Sequence, residues 1–192
     1  MCSNFITNSR RILSCYQFNF LELLAVKTKF FNKMLLSWRR PVFLNEIKMA
    51  NVKSSDKVLL IGSGIFPSEA IIIAQETGAK VIGIDNSPVA VKHAKRYVNK
   101  NKLNDVVEIK LVDGSDIKVK NFNVIFIAIN VFPIDGVLLN ISKDLKTGSR
   151  VLCKSMKNDI PDTLNRTGLS EFFEIKEQIK NPQTQSFLLV KK

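Results

Sequence analysis

The sequence predicts an α/β fold: a mostly parallel sheet with helices on both faces and an antiparallel hairpin at its end. Three observations predict it. Apolar runs alternate with amphipathic stretches across most of the chain, the pattern of strand–helix–strand units. Glycines follow the first run directly, where a strand would turn into a helix. The last two runs, 171–179 and 186–191, have no helix between them, and so short a connection permits only antiparallel pairing.

The elements follow in order. Residues 57–61 form a short apolar strand. A helix over 68–77 has Pro67 near its first turn and Gly78 just past its end. Residues 80–84 make the second strand. Ser87 caps a helix that carries Pro88 at its first position and runs to about residue 101. Residues 106–112 are a third strand. Residues 122–130 are a fourth, and their continuous apolar character suits burial on both faces. A helix to about Leu145, a strand over 148–154 and a short helix over 159–167 precede the final pair.

The first fifty residues differ in character, with many Phe, Leu, Lys and Arg, few acids and no glycine. Leu23, Val26, Phe30, Met34 and Trp38 recur at helical spacing, so a core-facing stripe is expected there. Pro41 is expected to end that helix, with a second short helix over 42–50. The division is therefore an arm over 1–52 and a main domain over 53–192. The arm is read as a lid on the substrate; a membrane-surface helix and a targeting segment are the competing readings.

Composition narrows the classes. The chain of 192 residues is 45% hydrophobic and 24% charged, which is globular rather than disordered. Its net charge of +12 fits either an anionic partner or scattered compositional lysine. Cys2, Cys15 and Cys153 have no metal-like spacing and His93 is the single histidine, so no metal site is expected. Unpaired cysteines suit a reducing cytoplasm. No run reaches the ~18 apolar residues of a membrane span.

Four strand ends carry the chemistry. Gly62-Ser63-Gly64 follows the first strand, and its glycines allow a sharp turn and close approach of a ligand to the backbone. Ile65-Phe66-Pro67 follows, without the third glycine of a dinucleotide fingerprint, which argues against NAD. Asp85-Asn86 ends the second strand about twenty residues later, where an acid can grip both hydroxyls of a ribose. Asp85 could alternatively serve the dipole of the next helix. Asp113-Gly114 ends the third strand, either as an adenine contact or as a simple turn. Asn130 ends the fourth, either as a site residue or as a strand-end turn residue.

Alternating units that end in a hairpin resemble the class I methyltransferase fold, Rossmann-like with seven strands. This implies S-adenosylmethionine held by Gly62, Ser63, Gly64, Asp85, Asn86, Asp113 and Gly114, with Asn130 near the reacting group. Asn130, Phe132 and a single Pro133 stand at offsets unlike those of enzymes that methylate nucleic-acid bases. A narrower resemblance rests on Ile61-Gly62-Ser63-Gly64-Ile65-Phe66-Pro67, on Lys154-Ser155, and on Pro182 with Gln185-Ser186 before Phe187-Leu188-Leu189-Val190. These are similar to the nicotianamine synthase-like family. The resemblance implies transfer of a methyl or an aminocarboxypropyl group to a small-molecule amine, with Glu46 contacting the acceptor. This chain has a much shorter helical region before its first strand than that family. An RNA methyltransferase anchored by the basic arm is the alternative, nucleic acid not being favoured. A non-catalytic module that binds S-adenosylmethionine and docks a partner is another. A homodimer is compatible with each.

Overall fold

The computed structural model describes residues 20–156, 159–181 and 184–192. Helix α1 is described over residues 20–27, and α2 spans Lys29–Met49. Then follow β1 (Lys57–Ile61), α3 (Ser68–Thr77), β2 (Lys80–Asp85), α4 (Pro88–Lys100), β3 (Val107–Leu111), β4 (Val124–Ile127), α5 (Ile134–Asp144), β5 (Arg150–Ser155), α6 (Ile160–Arg166), β6 (Phe173–Lys180) and β7 (Gln185–Lys191). The sheet order is β3-β2-β1-β4-β5-β7-β6. Strands β1 to β5 pair in parallel, and β7 lies antiparallel between β5 and β6. The expected sheet and its terminal hairpin are therefore present.

Alternation along the strands divides the core. Val58, Leu60, Val81, Val124 and Phe126 face one layer, packed with Phe43 and Ile47 of α2, Ile72 of α3 and Ala94 of α4. Leu59, Ile61, Ile125, Ile127 and Val151 face the other, with Leu138 and Ile141 of α5 and Leu164 of α6. Strands covered on both faces need apolar residues at every position, hence the unbroken runs. Local signals also place the helix ends. Ser87 Oγ accepts from Ala90 N at the start of α4, and Gly78 ends α3 at φ +72°. Strand β4 is shorter than expected at both ends: it spans Val124–Ile127, Ala128 N still donates to Ile61 O, and Ile129 and Asn130 form a turn.

The arm departs from expectation. The break falls at Thr28, which ends α1 and caps α2 by accepting from Phe31 N, while Pro41 lies inside a continuous α2. An interior proline forfeits one helix hydrogen bond and costs roughly 3 kcal/mol. Burial of Phe43, Ile47 and Met49 on the same helix, at about 1.5–3 kcal/mol each, offsets that cost. The break also spoils the expected stripe. Phe30, Met34 and Trp38 are exposed at 72%, 46% and 60%, and Leu23 and Val26 are only half-buried. The arm residues that bury their side chains include Ala25, Leu35, Phe43, Ile47 and Met49, with Val26 partly packed beside Ala25. Phe66 and Ile71 at the start of α3 receive Ala25 and Leu35. Among the described residues, no helix is long and apolar enough to cross a membrane.

Candidate active site

The parallel strands leave a crevice at their carboxyl ends, and a cavity of about 640 Å³ opens there. Its floor is the loop after β1. Gly62 N and Ser63 N both donate to Ile84 O, at 2.8 and 2.9 Å, folding the loop over the end of β2. Gly62 and Gly64 have φ of +86° and +69°, a backbone that side chains disfavour. A Cβ on Gly62 would stand 2.7 Å from Val131 Cγ2, and one on Gly64 would stand 2.7 Å from Glu22 Oε2. The Ser63 hydroxyl is buried with no hydrogen-bond partner.

Asp85 joins the loop to the next helix. Its Oδ2 accepts from Gly64 N at 2.9 Å and its Oδ1 accepts from Ser87 N at 3.0 Å. Each oxygen keeps a further lone pair, and the residue lines the cavity. Beside it, Asn86 Nδ2 donates to Asp113 Oδ2 at 3.1 Å, and Ser115 N donates to Asp113 Oδ1 at 2.8 Å. The bond from Ser115, with help from Asn86, holds the Asp113 carboxyl below its usual range. Gly114 packs closely under this turn: a Cβ there would come within 2.7 Å of Ile61 Cγ2. Asn130 lies on the opposite wall, exposed, with Phe132 at the rim. The structure thus gathers Gly62, Ser63, Gly64, Asp85, Asn86, Asp113, Gly114 and Asn130 around one cavity.

Glu46 stands apart from them. It is fully buried and does not line the cavity. Ser186 Oγ donates to its Oε1 at 2.6 Å, and Lys154 Nζ pairs with its Oε2 at 3.0 Å. Lys154 also donates to Glu69 Oε1 at 2.7 Å and lies 4.3 Å over the Phe43 ring. Lys154 and Glu69 do face the cavity. Burial disfavours the Lys154 ammonium, but the charges of Glu69 and Glu46 outweigh it and hold the pKa above the ordinary lysine value. Burial, reinforced by the Glu46 charge, pushes the Glu69 carboxyl up.

Two further wall residues were not singled out by sequence. Glu22 of α1 accepts from Ile65 N at 2.9 Å and Phe66 N at 3.2 Å. Arg39 of α2 pairs with Glu22 Oε1 at 3.0 Å and donates to Ser68 Oγ at 2.9 Å. The arm therefore grips the glycine loop itself. Glu22 is 43 residues from Ile65, and a lone acid on an amphipathic helix reads as solvent-facing; no local signal marks it. Cys153 is buried and burial pushes its thiol far up, which leaves it inert. Cys2, Cys15 and Pro182 lie outside the described residues. No metal-binding cluster occurs among the described residues.

A ligand cavity at the carboxyl edge of a parallel sheet, over a glycine loop and an acid that ends β2, defines a Rossmann-like, nucleotide-type site. A family model described as a methyltransferase domain matches residues 53–186, and the chain belongs to that family. An L-histidine 2-aminobutanoyltransferase of Yersinia pestis is 40% identical over 53 residues, which are 28% of this chain and 20% of that enzyme. The chain thus matches about a fifth of the length of that curated relative. Among solved structures, a glutamine mutant of MtNAS, a nicotianamine synthase, in complex with S-adenosylmethionine superposes with a TM-score of 0.75 at 17% identity, over 94% of this chain and 76% of that one. An RNA methyltransferase of Salinibacter ruber in complex with S-adenosyl-L-homocysteine gives 0.65 at 17% identity, over 79% of this chain and 92% of that one. At these identities the likeness is one of fold.

Proposed function

We propose that the protein is an S-adenosylmethionine-dependent transferase that moves the donor's aminocarboxypropyl group to a small-molecule amine. The observation that carries the amine is the charge of the cavity wall. In a chain of net charge +12, the wall carries Glu22, Glu69, Asp85 and Asp113 against Arg39 and Lys154. Such a wall favours cations and repels the phosphates of RNA. The choice of aminocarboxypropyl over methyl draws support from the name of the Yersinia pestis relative and from the extent of the overlap with MtNAS.

The residues present fit the donor. Gly62 and Gly64 line the cavity with backbone alone, and the orphaned Ser63 hydroxyl is a buried polar group that a ligand can satisfy. Asp85 offers its remaining lone pairs to the ribose hydroxyls, and Asp113 with Asn86 offers polar contacts to the adenine. When bound, the donor supplies carbons already made electrophilic by its sulfonium. The chain then has to align the acceptor and exclude water, and alignment alone can be worth roughly 7–11 kcal/mol of barrier. Asn130 and Phe132, in the loop after β4, and Trp38 of α2 line the same cavity.

The test is incubation of the purified chain with S-adenosylmethionine and an amine panel that includes L-histidine, followed by mass spectrometry. Methylthioadenosine is expected to accumulate. Adenosylhomocysteine in its place would mean methyl transfer, and neither product would overturn the transferase reading.

A further inference from the structure

We infer that Glu69 is the carboxylate that receives the acceptor amine and takes its proton, with Lys154 and Glu46 as its positioning pair; this rests on the amine-transfer reading above. Glu46 has both oxygens engaged, one by Ser186 and one by Lys154, and does not reach the cavity. Glu69 does reach it, and only its Oε1 is engaged, by Lys154. Its Oε2 makes no hydrogen bond among the described residues. A mostly buried carboxylate that lines a cavity, with one oxygen held by a cation and the other without a hydrogen bond from the protein, is free to accept one from a ligand. The cluster of two carboxylates and one ammonium carries one net negative charge inside the protein, and a ligand cation neutralises it.

Three elements hold this geometry. Helix α2 supplies Glu46, α3 supplies Glu69, and β5 supplies Lys154. Ser186 of β7 fixes the far oxygen of Glu46, so the rotamer of Lys154 is set from behind. The Phe43 ring beneath the ammonium removes another direction in which it could move. Lys154 thus aims Glu69 rather than meeting the acceptor itself. The charged groups that face Glu69 are Lys154 from β5 and Glu46 and Arg39 from α2. Burial makes its carboxylate a stronger base than one in water, which suits proton removal from an amine.

The step balances. The bound ammonium first gives one proton through Glu69 to solvent; the neutral nitrogen then forms its bond to carbon while the carbon–sulfur bond breaks toward sulfur, which leaves as a neutral thioether. The surplus proton on nitrogen passes to Glu69 and then to solvent. No oxidant, metal or covalent enzyme intermediate is involved.

The experiment compares the wild-type chain with Glu69→Gln and with Lys154→Met and Lys154→Arg. Calorimetry with S-adenosylhomocysteine is expected to give Glu69→Gln a donor-site affinity within about twofold of wild type. Binding of L-histidine or another panel amine to the S-adenosylhomocysteine complex should weaken at least tenfold, and methylthioadenosine formation should fall about 10²–10⁴-fold. Lys154→Met should move the acidic limb of the kcat/KM profile to higher pH, because loss of the cation raises the Glu69 pKa, whereas Lys154→Arg should leave the limb near its place. A folded Glu69→Gln that binds the amine and turns over like wild type overturns the inference. So does an equal loss of S-adenosylhomocysteine binding, which would make Glu69 structural. A wild type that neither binds any amine of the panel nor forms methylthioadenosine overturns the amine-transfer reading instead.

Discussion

Two regions of the cavity wall are built in opposite ways. The loops after β1, β2 and β3 are made by short runs of contiguous sequence, and their geometry is mostly backbone: Gly62 and Gly64 at positive φ, and Asp85 and Asp113 accepting main-chain N–H groups nearby. The buried cluster behind α2 is made by single side chains from distant places. Lys154 lies 85 residues from Glu69, and Ser186 lies 140 from Glu46. The first construction tolerates no side chain at Gly62 or Gly64, because a Cβ there would stand 2.7 Å from Val131 or Glu22. The second is a charge balance, in which each member is needed because the others are buried.

Lys154→Met attacks that balance and should have the largest effect. It leaves Glu46 and Glu69 buried without the cation that pairs with both, and unfolding in urea should show a loss of about 3–5 kcal/mol. The pH dependence has a fixed sign. The folded pKa of Lys154 is raised, so its contribution is fully present below the ordinary value of 10.5 and is lost as pH rises through the higher folded value. The gap between mutant and wild type should stay level up to 10.5 and shrink above it. A loss under about 1 kcal/mol, in the range of an exposed pair, would erase the contrast between the two regions.

Gly64→Val tests the other construction. A β-branched residue at φ +69° is strained by about 1–3 kcal/mol, and its Cβ also meets the Glu22 carboxylate. Binding of S-adenosylhomocysteine should disappear in calorimetry while the fold persists at a lower Tm. Unchanged affinity would show that the loop does not touch the donor.

Asp85→Ala should weaken S-adenosylhomocysteine binding at least tenfold, since charged hydrogen bonds are worth about 1.5–3 kcal/mol each. Part of that loss comes through Gly64 N and Ser87 N, which the carboxylate positions. Comparison with adenine alone, which lacks the ribose, separates the two contributions: a mutant equally weak toward adenine would point to the loop rather than the diol.

Glu22→Ala sharpens the comparison, because Glu22 is a distant side chain that reaches into the backbone-built region. Two buried N–H groups lose their acceptor, for a cost of about 1–3 kcal/mol, and donor affinity should fall several-fold in calorimetry. Intact affinity would return the arm to the role of a lid over an independent donor site. The smallest effect should be that of Phe30→Ser, within about 0.5 kcal/mol in the same denaturation assay, because the ring is 72% exposed. A large loss there would restore the stripe expected from helical spacing.

The sequence by itself determined the sheet, the hairpin and the glycine-bearing and acid-bearing loops at the strand ends. Strands buried on both faces must be apolar at every position, helix ends need Ser87 and Gly78, and a backbone that approaches a ligand needs Gly62 and Gly64; each requirement is written within a few adjacent residues. Only the tertiary structure decided the rest. Pro41 stays inside α2 because burial of that helix against the sheet outweighs a lost hydrogen bond. Glu22, Glu69 and Lys154 reach the cavity because the fold brings α1, α3 and β5 together, and a single charged residue on a helix or strand end carries no local mark of the partner it will meet. Glu46 reads in the sequence as the acid before the first strand. Packing placed it behind Lys154, where its charge acts through that lysine on the wall of the cavity.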